Sequence, residues 1–188
     1  MSSAAGPAAG NSPTVGETST SAAGGRPAFR AWRWLPIAVV LVIADQASKA
    51  WMLRHFTYGE NWALLPVLNI TLRYNTGAAF SVLADASGWQ RWFFTALAIA
   101  VGVGIVVWLY RLNGRTQWLL AVSLSLILGG ALGNLIDRLR LGHVIDFIEP
   151  HWKDARFPAF NLADSAITVG AVLMLLDAWF VGGRRRSS

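Results

Sequence analysis

Residues 125–138 read SLILGGALGNLIDR, an apolar segment with three glycines that ends in closely spaced polar residues. The glycines have no side chains, so a helix built on this segment can approach its neighbours closely. Asn134 and Asp137 are three residues apart and therefore share one face of that helix. The segment predicts the end of a membrane-spanning helix that packs tightly in a bundle and carries polar groups.

The composition of the whole chain supports a membrane protein. Apolar residues make up 54% of the 188 residues and charged residues only 14%, and there are ten tryptophans. The net charge of +6 comes from basic residues that flank apolar segments rather than from a recognition helix, so we expect no nucleic-acid partner. The sequence has no cysteine, which excludes disulfide bonds, thiol catalysis and thiolate metal sites.

Four apolar segments have the length of membrane spans, at about 18 to 20 residues each. They cover residues 34–53, 92–110, 118–136 and 163–181, and tryptophan or tyrosine side chains fall near their ends. Helices of this length cross a hydrocarbon core roughly 30 Å thick. The sequence therefore predicts an all-α membrane protein that is a four-helix bundle.

The predicted domain organisation has three parts. Residues 1–33 are expected to form a disordered cytoplasmic tail, because residues 1–28 are rich in Ser, Ala, Gly, Thr and Pro. Residues 34–181 form the four-helix domain, and residues 182–188 form a basic cytoplasmic tail. Four spans put both termini on one side, and the short loop with Arg111 and Arg115 shares it. The Lys and Arg counts of the two sides are equal, but the density of arginine beside the spans favours a cytoplasmic location for the termini.

The two loops on the opposite, outer side are larger and more polar. Leu68, Ile70, Leu72 and Tyr74 alternate with other residues, which predicts a short strand in a small extracytoplasmic platform. Residues 138–162 carry several charges and two prolines. We expect the functional site on this outer face, because the polar groups gather there.

Two acids in this outer region have apolar sequence neighbours. Asp146 lies in GHVIDFIEP, and Asp164 lies at the start of the fourth span with Asn161 three residues before it as a candidate helix cap. Burying ionised acids is costly, so each needs a partner, a role or access to water. Two adjacent carboxyl groups can share one proton and act together as acid and base. The residues alone also leave open a structural polar network, a transport path and a non-catalytic assembly role.

Other polar residues in the spans are expected to be supporting groups. Asp45 and Lys49 are four residues apart and can pair on one helix face. Arg138 directly follows Asp137 and is expected to keep that acid ionised, so that Asp137 orients other groups rather than donating a proton. The three histidines do not form a metal-binding pair on one helical turn, and no serine lies in a nucleophile elbow. We predict neither a metal nor a cofactor.

Five motifs in order resemble bacterial lipoprotein signal peptidase, the type II signal peptidase. They are DQASK, YNTGAAFS, GGALGNLIDR, HVIDF and FNLADSAI, and they extend across all four predicted spans. Each motif alone could arise by chance, but five in this order at compatible spacing are highly specific. The resemblance covers residues 34–181, and the long N-terminal tail is the part that departs from it.

The resemblance implies an inner-membrane aspartic endopeptidase that removes signal peptides from prolipoproteins. Such enzymes cleave before a diacylglyceryl-modified cysteine, near the periplasmic face, and a monomer surrounded by membrane lipid suffices. By residue matching, the catalytic pair would be Asp146 and Asp164. The residues that would shape the site and hold the substrate are Asp45, Lys49, Asn75, Asn134, Asp137, Arg138 and Asn161.

Overall fold

A computed structural model describes residues 30–77 and 88–186 of the chain, with side chains to residue 180. In these residues four helices are long and apolar enough to cross a membrane. The helices are α1 (Leu35–His55), α2 (Trp89–Arg111), α3 (Trp118–Leu141) and α4 (Leu162–Arg186). The prediction of a four-helix membrane bundle is confirmed.

Helix α3 lies at the centre of the bundle and packs against the other three helices. In its most apolar part 56% of the residues are buried, against 17% to 22% in the other helices. Its glycines make this possible, because a Cβ at Gly129 would lie 3.0 Å from the backbone of Ala38 in α1. At Gly130 a Cβ would overlap the carbonyl oxygen of Ala163 in α4. The small residues of the quoted segment therefore set the spacing of α1, α3 and α4.

One end of the bundle, where α1 ends and α4 begins, carries an antiparallel sheet of four strands in the order β1-β2-β3-β4. The predicted strand is present as β2, so the expected strand platform is confirmed. The platform has four strands, whereas the sequence predicts one. The described strands are β1 (Asn61–Leu65), β2 (Leu68–Asn75), β3 (Val144–Trp152) and β4 (Ala155–Arg156). Strand β3 was not predicted, because it is buried on both faces along most of its length and so shows no alternation of apolar and polar residues.

One face of the sheet packs on the C-terminal end of α1. Met52 of the helix and Phe56, which directly follows it, contact Leu72, Ile145 and Phe147 of the strands, and all five are buried. Burying each of the larger apolar side chains contributes about 1.5 to 3 kcal/mol. This small core fixes the sheet directly above the helices, and the chain enters β3 from α3 through a left-handed turn at Gly142.

The observed element boundaries change two expectations. Helix α3 continues to Leu141 rather than ending near residue 136, so Asp137 and Arg138 lie inside the helix. Residues 31–33 were assigned to the tail, but they form a short 3-10 helix with Trp34, and Ala31 is fully buried in the bundle core. The rest of the predicted tail, up to residue 29, lies outside the described residues.

The close contact at Gly130 gives a stability prediction. Gly130→Ala should lower the unfolding temperature in detergent, because overpacking a tight contact costs about 1 to 3 kcal/mol. Gly104→Ala is the matched control, since no described atom lies within 4 Å of the Cβ it would add on α2. Circular dichroism during heating measures both. Equal unfolding temperatures for the two variants would contradict the proposed packing of α3 on α4.

Candidate active site

A buried charge centre joins α1 to α3. The ammonium of Lys49 lies 2.8 Å from a carboxylate oxygen of Asp45 and 2.8 Å from one of Asp137. It also donates a hydrogen bond of 3.0 Å to Asn134 Oδ1. Asp45 is fully buried, and Lys49 and Asp137 are each 2% exposed. The pairing of Asp45 with Lys49 is thus present, with Asp137 as a third member.

The two acids also accept hydrogen bonds from neighbouring elements. Asp45 Oδ1 accepts the backbone N–H of Ala163 at 3.0 Å, and Asp137 Oδ2 accepts that of Ile145 at 3.2 Å. The side-chain amide of Gln46 donates to Asp137 Oδ1 at 2.9 Å. The centre therefore fixes the start of α4 and of β3 relative to α1 and α3.

Arg138 does not have the position expected from its place in the sequence. The guanidinium lies over the ring of Phe94, 5.2 Å from the ring centroid, and lines a cavity. Adjacent residues on a helix point in different directions, so Arg138 and Asp137 face different surroundings. The cation that neutralises Asp137 is Lys49. Arg138 interacts with Asp137 only at longer range, so the direct counter-charge is Lys49 rather than the arginine that the sequence suggests.

Asn161 caps helix α4 and links Asp164 to Asp146. Its Oδ1 accepts the N–H of Asp164 at 2.9 Å, while Asp164 Oδ2 accepts the N–H of Asn161 at 3.3 Å. This reciprocal pair is a capping box, with an acid in the first turn where the helix dipole favours negative charge. The Nδ2 of Asn161 also donates to Asp146 Oδ1 at 2.8 Å. One side chain thus joins the two acids.

The position of Asn161 depends on backbone pairing with β3. The N–H groups of Phe147 and Ile148 both donate to Phe160 O, at 3.0 and 2.9 Å, and Phe160 donates back to Ile148 O at 3.0 Å. Asn161 follows directly, which places its side chain beside Asp146. On the opposite side Asn134 donates to Asp164 Oδ1 at 2.7 Å and connects this acid to the charge centre.

Asp146 is 2% exposed and lies on strand β3. Burial raises the pKa of its carboxyl group to about 6, and the negative charge of Asp164 adds to the increase. Hydrogen bonds from Asn75 and Asn161 favour the ionised form and oppose this rise in pKa. Asn75 Nδ2 donates to Asp146 Oδ2 at 3.0 Å. Asp146 is therefore a carboxyl group that can hold a proton near neutral pH.

Asn75 is held by the turn that follows β2. Its Oδ1 accepts the N–H of Gly77 at 2.8 Å, and Gly77 has a φ of +89°. A Cβ at Gly77 would lie 2.7 Å from the ring of Phe94, so both the backbone conformation and the space require glycine. This turn points the amide of Asn75 at Asp146.

A cavity of about 640 Å³ opens beside this cluster. Asp146, Arg138 and the turn after β2 line one part of it, and the loop before α4 lines another. Three residues of this region are not predicted from the sequence, because they depend on strand register and helix packing: Arg73, Phe94 and Glu149. Gln46 is visible in the sequence as a polar residue in an apolar span, but the pattern does not assign it to the site.

The structure brings all nine predicted site residues into one connected region. Hydrogen bonds and ion pairs join eight of them, and Arg138 adjoins them through the cavity. Within the described ranges, no group of three or more His, Asp or Glu side chains is arranged to hold a metal ion. The roles of these residues, and the absence of a metal, stay predictions.

Four membrane-length helices and a buried polar cluster that opens to a cavity at one end define a multi-pass membrane protein with an enzyme-like site. Residues 37–180 match the family model described as Signal peptidase (SPase) II. The chain therefore belongs to the signal peptidase II family, and it is a peptidase of the membrane.

Individual relatives agree with this family. The chain is 56% identical over 146 residues to the lipoprotein signal peptidase of Pseudomonas aeruginosa, covering 77% of this chain and 86% of the relative. The corresponding protein of Shewanella halifaxensis is 50% identical over 150 residues, covering 80% and 88%. A solved structure described as a bacterial membrane enzyme is 34% identical, with a TM-score of 0.67, and covers 77% of this chain and 90% of that one.

The charge centre predicts a large effect of removing its cation. Lys49→Met leaves two buried carboxylates without a counter-charge and should reduce the free energy of unfolding by about 3 to 5 kcal/mol. Arg54→Met is the control, because Arg54 is an exposed basic residue on the same helix. Chemical denaturation in mixed micelles compares the two. A Lys49→Met protein as stable as the control would show that the centre does not hold the helices together.

Proposed function

We propose that this chain is an aspartic endopeptidase that removes signal peptides from prolipoproteins, with Asp146 and Asp164 as its catalytic pair. The observation that carries the proposal is the link through Asn161, whose side-chain amide bonds the carboxyl group of Asp146 and whose backbone N–H bonds that of Asp164. Asp146 lines the cavity beside this link. The family supports peptidase activity, and the names of the relatives support lipoprotein precursors as substrates. The proposed cleavage before a diacylglyceryl-modified cysteine follows from the motif resemblance.

The surroundings of the two acids suggest how they share one proton. Asp164 accepts hydrogen bonds from Asn134 and from the N–H of Asn161, and it lies at a helix N-terminus, so it is suited to the ionised form. Asp146 has the raised pKa and is suited to the protonated form. Asp164 is then the base and Asp146 the acid.

In the proposed reaction a water molecule attacks the scissile carbonyl carbon. Asp164 takes a proton from the water as the new C–O bond forms, and Asp146 gives its proton to the carbonyl oxygen. The resulting diol collapses when the C–N bond breaks: Asp164 passes its proton to the leaving amine, and Asp146 recovers one from a hydroxyl group. The pair ends with one proton, as it began.

The other residues have distinct proposed roles. Arg138 and Asn75 adjoin the cavity and can hold the substrate backbone by donating hydrogen bonds. Asn134 and Asn161 position the acids. Asp45, Lys49 and Asp137 form a structural polar network, which is one of the alternatives that the sequence alone left open. A catalytic pair and a structural network are then both present, and they use different acids of one site.

The proposed location is the inner membrane, with both termini in the cytoplasm and the site near the periplasmic face. The sheet and the cavity lie at the end of the bundle away from the Arg111 to Arg115 loop, whose arginines favour the cytoplasmic side. The described part of one chain supplies both carboxyl groups, so a monomer is sufficient for the proposed chemistry.

Neutral replacement of the proposed pair tests the catalytic assignment. Asp146→Asn and Asp164→Asn should each reduce cleavage of a lipid-modified precursor by about a thousandfold or more, because an amide cannot transfer the proton. Asp177→Asn is the matched control on α4, about 20 Å further along the helix from Asp164. Cleavage is followed by gel shift of the precursor, and unfolding temperature checks the fold. Folded Asp146→Asn protein with normal cleavage would rule out the proposed pair.

The raised pKa of Asp146 predicts the pH dependence of cleavage. The pair needs one proton, and Asp146 loses it as the pH rises through a pKa of about 6, so kcat/KM should fall above that pH. Asn75→Ala removes a hydrogen bond that lowers this pKa, so the fall should move to higher pH. Initial rates with a fluorogenic lipidated peptide measure both profiles. A fall at lower pH in Asn75→Ala would contradict the assignment of the proton to Asp146.

A further inference from the structure

A second polar cavity lies at the far end of the sheet, separate from the candidate active site. It has a volume of about 230 Å³ and is lined by Asn69, His151, Lys153, Asp154 and Arg156. Water occupies about 30 Å³ in the liquid, so this space holds about eight waters or a small polar headgroup. His151 is five residues from Asp146 along β3, which is about 16 Å.

The lining of this second cavity is suited to an anionic group. Lys153 and Arg156 carry positive charge, and Arg156 also forms an ion pair of 3.3 Å with Glu149 at the rim of the other cavity. The Nε2 atom of His151 is buried and has no hydrogen-bond partner in the described part of the chain. A buried polar atom without a partner is costly, so a turn of the ring that lets Nε2 bond a group in the cavity would remove this cost.

The hairpin between β3 and β4 holds Lys153 in an unusual conformation. Its φ is +53°, the one positive φ of a non-glycine residue in residues 30–77 and 88–186. Lysine has no local hydrogen bond to favour this conformation, unlike asparagine, so glycine or asparagine is the ordinary choice for such a turn. Lys153 is thus both the strained residue of this turn and part of the cavity lining.

Exposed apolar side chains lie on the segments next to this cavity. Trp152 is 64% exposed next to it, and Leu65 and Val67 on the β1 to β2 hairpin are 54% and 44% exposed. The N–H of His151 donates to Val67 O at 2.9 Å, which places this hairpin beside the cavity. Tryptophan and aliphatic side chains beside basic groups are typical of protein surfaces at the membrane interface.

We propose that this cavity binds the phosphate headgroup of an outer-leaflet phospholipid, with Trp152, Leu65 and Val67 against its acyl chains. Lys153, Arg156 and His151 contact the phosphodiester. Asp154 repels a free phosphate dianion, but it suits the amine of a zwitterionic headgroup. The lipid anchors the sheet to the membrane surface and so fixes the height of the active site above the bilayer.

A binding experiment with the full-length chain in non-ionic detergent tests this proposal. The probe is dihexanoylphosphatidylethanolamine, and the readout is the rise in unfolding temperature with ligand concentration. We expect a saturable rise for the wild-type protein. Inorganic phosphate and dihexanoylglycerol, which supply the anion alone and the acyl chains alone, should give no rise.

The variant for this test is His151→Gln with Lys153→Asn, because asparagine accepts a positive φ and the turn should still form. Its apparent Kd for the phospholipid should be about tenfold higher, as expected for loss of a charge-assisted hydrogen bond. Arg54→Gln, an exposed basic residue outside the cavity, is the control and should bind as the wild type does.

Four results would overturn the proposal. They are no rise with the wild-type protein, equal affinity in the double variant, an equal rise with inorganic phosphate, and an equal rise with dihexanoylglycerol. Equal unfolding temperatures of the three proteins without ligand show that the variants fold. Because cleavage is not measured, the outcome is independent of the proposed peptidase mechanism.

Discussion

The ammonium of Lys49 is the contact on which the other parts of the site depend. It is the counter-charge of two acids that are almost fully buried, and removing it would leave both without a partner of opposite charge at ion-pair distance in the described residues. The centre also needs Gly133, since a Cβ at that position would lie 2.6 Å from Asp45 Oδ2. The glycines of α3 therefore allow the helices to meet and leave room for the charges between them.

The proposed chemistry follows from this centre through helix α4. Asp45 accepts the N–H of Ala163, and Asn134 accepts from Lys49 and donates to Asp164, so the first turn of α4 is bonded to the centre on two sides. A buried ion pair often adds little net stability compared with apolar residues. Its value here is that it fixes the orientation of Asp164 and, through Asn161, its relation to Asp146.

Local sequence patterns predicted the parts of this structure that depend on a single helix or strand. The apolar spans, strand β2, the pairing of Asp45 with Lys49 and the cap at Asn161 all follow from spacing along the chain. Spacing along the chain does not predict that Asp137 belongs to the charge centre, because this depends on the packing of α3 against α1. Reading Arg138 as the partner of Asp137 failed because sequence neighbours on a helix face different directions. The link from Asn161 to Asp146 needs the pairing of Phe160 with β3.

An irregularity in the sheet explains why polar residues face the cavity at this point. Two residues of β2 lie between Ile70 and Arg73, but only Phe147 of β3 lies between their partners Ile148 and Asp146. Regular pairing would set Leu72 opposite Asp146, whereas the extra residue sets Arg73 there and leaves Leu72 in the core. Asn75 shares the face of Arg73, so the same shift directs its amide to Asp146. A single extra residue in β2 thus puts two hydrogen-bond donors, rather than apolar side chains, on the face that carries Asp146.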